Sequence, residues 1–251
     1  MFESGLSPAI ALAANALEAL CSIDWLAGVA PPTLEKLAGQ AMVIRMPRGA
    51  QIFEQAEVPT FAQFLLAGSI ELLAVRGQEE TLIEIVRPAD MLLPAAVVGK
   101  LPYLVRARVC DDATLLLVPA EAFRAAVAAD LGLCLALLAC QATQFRRQMK
   151  LAKAIRLRSA EERVGSFMLA LAESLPGHRE IRLPVEKRQI AARLGMNRET
   201  LSRALPSLAE HGLTIVGDRL RVDDLAAARA AFPFDPLIDG RDEIRPLPLG
   251  D

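Results

Sequence analysis

The sequence predicts an α+β chain: an N-terminal β-roll, a long dimerisation helix and a C-terminal winged helix-turn-helix. Three observations carry this. Between Val43 and Val118, short alternating or apolar runs recur at strand length with turn residues between them. After Pro119 and as far as Leu157, a stretch rich in Ala, Leu, Gln, Arg and Lys is interrupted by no proline and by Gly132 alone. At 186–210, two amphipathic segments flank Gly195-Met196-Asn197. With 251 residues, 53% hydrophobic and 23% charged, the chain can bury a sizeable core and is neither disordered nor collagen-like.

In chain order, residues 6–20 read as a short helix and 32–41 as another, with Pro32 near its start. They belong to a helical extension (1–24) and the beginning of the roll domain (25–128). The runs VIRM, PRGAQIF, FAQFLLAG, SIELLAV, TLIEIV, YLVRARV and TLLLV are the expected strands, with Gly49, Gly68 and Gly77 at turns. The helix at 129–157 repeats Leu138, Gln141, Phe145, Gln148, Ala152 and Ile155 at steps of three and four. Packing on its own roll is the alternative. A length of roughly 37 Å from Leu131, at ~1.5 Å per residue, favours a seam between two copies.

Ser159-Ala160-Glu161-Glu162 is a capping box that opens a further helix to about Ser174. A further domain is placed at 158–228, ending in a hairpin of LTIV and RLRV turned at Gly217-Asp218. Residues 229–251, with four prolines and little periodicity, are expected to be a mobile tail.

The segment EKRQIAARLGMNRETLSRALPSLAEHG carries the chemistry. Ile190 and Leu194 face inward, Ala191 allows a second helix to approach, and Gly195 supplies a positive φ. Asn197 caps a second helix over 198–210, whose core face is Leu201, Leu205 and Leu208. Arg198, Glu199, Ser202 and Arg203 lie near its start, where a recognition helix meets base edges. Arg fits guanine bidentately and Glu accepts from the cytosine amine. A merely solvated helix face is the alternative. Pro206 removes one helical hydrogen bond and is expected to kink or end the helix after all four of these residues. From Arg156 to Arg221, 12 Lys/Arg stand against 8 Asp/Glu, although the whole chain has a net charge of −2. This local excess suits a polyanion partner.

RQIAARLGMNRETLSRAL followed by a glycine-containing hairpin resembles the winged helix-turn-helix of the cyclic AMP receptor/fumarate–nitrate regulator (Crp/Fnr) superfamily. The resemblance runs over roughly 25–225, with PRGAQIFEQAE opening the roll, LLAGSIELL inside it and LRSAEERVGSFMLAL at a hinge. It implies a cyclic-nucleotide-binding-like roll and a homodimeric transcription regulator reading an inverted repeat of the TTGA…TCAA kind. Arg198, Glu199, Ser202 and Arg203 would then touch bases, and Lys187, Arg188, Asn197 and Thr200 would hold phosphates. Double-stranded DNA, a second copy of the chain and RNA polymerase are the implied partners.

Members that bind cyclic nucleotides use a Glu and an Arg-Ser pair; here Leu93 and Tyr103-Leu104 stand in those places. Cyclic AMP is therefore disfavoured. Arg106 and Arg108 are expected to be outward, solvated strand residues. Four scattered cysteines, Cys21, Cys110, Cys134 and Cys140, do not match the iron–sulfur pattern and form no CxxC pair. The two histidines, His178 and His211, lie outside the roll, which disfavours His-ligated haem; Cys110, Met91 or Tyr103 leaves haem open as a cofactor. An apolar effector pocket is expected from Leu92, Leu93, Ala96, Val97 and Tyr103, facing Leu138, and the effector itself is unknown. By cassette pattern the resemblance leans to nitric-oxide-responsive, denitrification-type members.

No nucleophile–base pair, metal set or phosphate-cradling loop suggests an enzyme. A protein-binding scaffold is the rival of a different class, and a ligand-independent regulator is a further alternative. Scattered thiols and the lack of an uninterrupted apolar span predict a cytoplasmic protein without membrane association.

Overall fold

The computed structural model describes residues 16–175, 177–183 and 186–240. The chain divides into two compact units, one running to Gln144 and the other starting at Phe145.

The first unit opens with α1 (Ala16–Cys21), a 3-10 turn (Asp24–Leu26) and α2 (Pro31–Ala38). Of the helix expected over 6–20, residues 6–15 lie outside the described residues. Proline begins α2, where its missing N–H is an orphan in any case. This layer buries Leu20, Ile23, Trp25 and Leu37 against Phe64 of the roll and Phe123 of the helix that follows it. Trp25 also donates its indole N–H to the Ala89 carbonyl at 2.9 Å.

The roll consists of β1 (Met42–Met46), β2 (Gln51–Phe53), β3 (Phe61–Arg76), β4 (Glu79–Val86) and β5 (Arg106–Pro119). Its antiparallel order is β1-β5-β3-β4, with β2 pairing β5. FAQFLLAG and SIELLAV are not two strands but one, β3. The RARV part of YLVRARV likewise continues into TLLLV as β5, whereas Tyr103 to Val105 precede it. The β3–β5 ladder survives three register shifts between Leu65 and Ile70. Gly68, at φ +85, bends the strand there instead of ending it; a Cβ would lie 2.3 Å from the Asp112 carbonyl. Alternation sorts the side chains: Ala62, Phe64 and Leu66 meet the helices, while Leu65, Ile70 and Leu115 face the roll interior with Phe53 and Tyr103.

The run after Pro119 is two helices, α4 (Ala120–Ala129) and α5 (Leu131–Leu157), after the short α3 (Pro94–Gly99). Asp130 takes an extended conformation between them, and its carboxylate caps α5 at the Leu133 N–H, 2.9 Å away. The two helices are bent by 112° at this break. Among the described residues no single helix is long and apolar enough to cross a membrane, although this bent pair matches by length and composition.

The second unit comprises the distal part of α5, then α6 (Ala160–Ser174), β6 (Glu180–Arg182), α7 (Lys187–Arg193) and α8 (Arg198–Ala204). A 3-10 helix (Pro206–His211), β7 (Leu213–Val216), β8 (Arg219–Val222) and α9 (Leu225–Ala231) complete it. Its sheet is β6-β8-β7. The capping box at Ser159 and Glu162 forms in both directions, at 3.1 and 2.6 Å. Residues 229–240 correct the expected mobile tail. Phe232 is buried over Gly165, Arg158 holds Asp239 through two bonds of 2.6 and 2.9 Å, and Lys150 donates to the Gly240 carbonyl at 2.8 Å. Sparse periodicity concealed these contacts because they are made by side chains distant in sequence. Residues 241–251 lie outside the described residues.

Candidate nucleic-acid interface and roll interior

α7 buries Ile190, Ala191 and Ala192, and Gly195 turns the chain at φ +62. The Asn197 carboxamide accepts the Thr200 N–H at 2.8 Å and so caps α8. Leu201 and Leu208 are fully buried, whereas Leu194 and Leu205 pack half-buried against the same core. Arg163 of α6 fastens the turn by donating to the carbonyls of Leu194 and Arg158, each at 2.9 Å. Pro206 ends α8 early: the α-helix stops at Ala204 and continues as a 3-10 turn, shorter than the expected 198–210.

Arg198, Glu199, Ser202 and Arg203 are all exposed on α8, within one short helix. Arg203 reaches Thr200 Oγ1 at 3.5 Å. Lys187 and Arg188 stand one helix away, half-buried and exposed, so the expected phosphate contacts divide between the start of α7 and the cap and first turn of α8. The three-stranded sheet carries further exposed arginines, on β6 and on β8 beyond the turn at Gly217, that the sequence reading did not single out. Arg182 pairs with Asp218 at 2.9 Å, Arg219 with Glu180 at 3.2 Å and Arg221 with Asp223 at 2.8 Å.

The roll interior departs from the expected effector pocket. Leu92 and Tyr103 belong to the interior cluster, with Leu93 and Ala96 against it, but Val97 is buried in the helix-facing cluster and Leu138 is 55% exposed. Around α3, Leu93 adopts φ 41 and the Val97 carbonyl accepts a bond from Arg124 at 2.7 Å. A cavity of about 280 Å³ lies elsewhere in the roll, lined among others by Ile44, Ile52, Phe53, Gln63 and Leu115. Of the residues expected to form a pocket, only Tyr103 lines it.

The three residues considered as iron ligands are not gathered. Met91 is buried in the helix-facing cluster, Tyr103 stacks on Phe53 with ring centroids 3.6 Å apart, and Cys110 is half-buried on β5. Burial, and then the nearby Glu57 charge, push the Tyr103 hydroxyl up to about 12, which opposes the phenolate that would bind iron. Among the described residues no group of three or more His, Cys, Asp or Glu could hold a metal ion. Arg106 and Arg108, expected to be free and solvated, are instead engaged by carboxylates. Arg106 meets Glu54 at 2.7 Å and also pairs with Glu80; Arg108 meets the buried Glu71 at 2.6 Å and Glu80 at 2.9 Å.

A β-roll joined through a long helix to a winged helix-turn-helix defines the architecture of a two-domain regulator. Residues 43–130 match the cyclic nucleotide-binding domain and residues 162–230 the Crp-like helix-turn-helix domain. The chain belongs to the Crp/Fnr family of regulators. It is 38% identical over 64 residues to the nitrogen fixation regulation protein FixK of Rhizobium meliloti, a match that covers 26% of this chain and only 30% of that protein. Its fold is similar to FixK2 from Bradyrhizobium japonicum, with a TM-score of 0.61, 19% identity, and coverage of 78% of this chain and 98% of the other. It is also similar to CLP, a c-di-GMP responsive global regulator of Xanthomonas campestris, with a TM-score of 0.60, 15% identity, and coverage of 78% and 100%.

Proposed function

We propose that the chain is a homodimeric, sequence-specific DNA-binding transcription regulator that reads an inverted repeat. One observation carries the reading: α8 presents Arg198, Glu199, Ser202 and Arg203 together, exposed and ahead of Pro206, on a helix whose other face is buried in the core. Arginine forks suit guanine edges, and the glutamate suits the cytosine amine. Lys187, Arg188, Asn197 and Thr200 are the proposed phosphate contacts, and they set the register without reading sequence. RNA polymerase is the expected protein partner of the bound dimer.

The roll acts in this reading as a sensor that does not use cyclic AMP. An enclosed cyclic phosphate needs a guanidinium to offset its lost hydration. Leu93 and Leu104 offer no charge, and Arg106 and Arg108 already have carboxylate partners. Haem sensing has weaker support, because Met91 is packed into the helix-facing core and the Tyr103 hydroxyl resists the ionisation that would bind iron.

Fluorescence anisotropy with a duplex holding a TTGA…TCAA repeat tests the proposal against a scrambled duplex over a salt series. The expected result is a specific excess of about 10³-fold or more, with affinity falling steeply as salt rises. Equal binding to both duplexes, or none to either, would reject it in favour of a protein-binding scaffold.

A further inference from the structure

α5 ends at Leu157 and α6 begins at Ala160, so only Arg158 and Ser159 separate the long helix from the helices of the DNA-binding half. A break this short is a natural hinge, because a few element-terminal residues can absorb a large change in φ and ψ. The capping box ties Ser159 to Glu162 and so acts within α6. On one side of the break, Arg163 of α6 holds the Arg158 carbonyl at 2.9 Å. The other hold comes from residues 232–240, which follow α9.

This segment reaches both helices and the break between them. Phe232 is buried over Gly165 of α6, where a Cβ would stand 2.4 Å from the ring. The chain then folds back on itself: the Leu237 N–H donates to Asp235 Oδ1 at 2.8 Å, and the Asp239 N–H to the Asp235 carbonyl at 2.7 Å. That turn sets the Asp239 carboxylate against Arg158, which donates to Oδ1 at 2.6 Å and to Oδ2 at 2.9 Å. Oδ2 also accepts the Asp235 N–H at 2.9 Å. The two side chains of this fork are 13% and 14% exposed, and a bidentate charge-assisted pair is stronger where water is scarce. On α5 itself, Lys153 reaches Asp235 Oδ2 at 3.4 Å and Lys150 donates to the Gly240 carbonyl at 2.8 Å.

We propose that residues 232–240 are a strap that locks the α5–α6 break, with Arg158 and Asp239 as its fastening, so that the helix-turn-helix and the distal part of α5 move as one piece. All of these contacts lie within the second unit. The consequence for DNA rests on the proposed reading of an inverted repeat. Once one recognition helix is bound, the second half-site is captured at the effective concentration that the linkage allows, and a loose break lowers it. Arg158 and Asp239 are thus positioning residues, and neither is among the proposed base or phosphate contacts.

The test compares the native full chain with Arg158→Gln, Asp239→Asn and the double variant. Hydrogen exchange read by mass spectrometry follows peptides over 154–163, with 187–211 and 61–76 as references. Each single variant is expected to exchange about tenfold faster at 154–163 alone, and the double variant no faster than either, since all three undo one fastening. The double variant leaves neither charge enclosed without the other, so it keeps the comparison open should a single variant fail to fold. Unchanged exchange at the break, additive effects in the double variant, or equal acceleration at 187–211 would overturn the strap. Anisotropy with a full TTGA…TCAA duplex and with a single half-site supplies the second readout. The variants should lose about tenfold on the full repeat and nothing on the half-site; equal loss on both would reject the positioning role. A native chain that binds neither duplex would defeat the DNA reading instead, and the exchange experiment would still decide the strap.

Discussion

Arg203 and Gly195 show how single residues govern the helix-turn-helix in two different ways. Arg203 is exposed on α8 and contributes nothing to the core, so its replacement by Ala tests recognition alone. Arg203→Ala is expected to weaken specific binding by ~1–3 kcal/mol and relax one base position, with the thermal midpoint unchanged. Unchanged discrimination across a set of single-base variants would remove it from the base-reading group. Gly195 acts through the backbone: its φ is +62, and a Cβ would lie 2.4 Å from Ile155 Cδ1. Gly195→Ala should therefore cost ~1–3 kcal/mol from strain and displacement, lowering the melting temperature. A melt matching the native chain would show that the turn tolerates a side chain. The roles of Gly195 and Asn197 were legible in the sequence because both are decided within a few residues. The burial of Gln63 was not, since it depends on pairing with Leu117, 54 positions away.

Elements were legible to the degree that their boundaries are set locally. Ser159 and Glu162 sit three residues apart and cap each other, so α6 begins where the pattern says. Ser159→Ala should remove the bond to the Glu162 N–H and cost about 1 kcal/mol, read as a lower denaturation midpoint with an unchanged slope. A midpoint equal to the native one would mean that water replaces the hydroxyl without loss. The strands were harder. Gly68 carries a turn signal, yet the β3–β5 ladder continues on both sides of it, and only that long-range pairing distinguishes a bend from an end. Asp130 misled in the opposite direction. A helix-compatible run continues through it, but its carboxylate is worth more as the cap of α5, and the Thr33 hydroxyl also donates to it. The expected effector pocket was drawn from one contiguous cassette, whereas the cavity described in the roll draws on β1, β2, β3 and β5, brought together by register.

At the scale of the whole molecule, charge and uncovered apolar surface each make a claim. Asp130 is held below the ordinary carboxylate range by Thr33 and the Leu133 N–H, Glu54 by Arg106 and the Gln55 N–H, and Asp223 by Arg221 and Thr214. Groups whose folded pKa is lowered stabilise the native state above the unfolded value and lose that contribution as pH falls through the folded one. Helical circular dichroism should thus stay constant from pH 7 down to about 4 and fall below it, whereas unfolding that begins above pH 5 would contradict these assignments. The uncovered surface lies along α5, where Leu138 is 55% exposed, Phe145 65%, Met149 52% and Ile155 44%. Gln141, Gln148 and Ala152 share the helical spacing and complete the stripe, which is the proposed seam with a second copy. Large apolar side chains in a row are costly to leave in water, and a symmetric partner presents the same row in return. Phe145→Glu places two like charges where two rings should meet. Sedimentation should give twice the chain mass for the native protein and the single-chain mass for the variant, with circular dichroism unchanged. A variant that remains dimeric would move the seam off this face. A native chain that sediments as a monomer would leave the inverted-repeat reading without its two-fold partner.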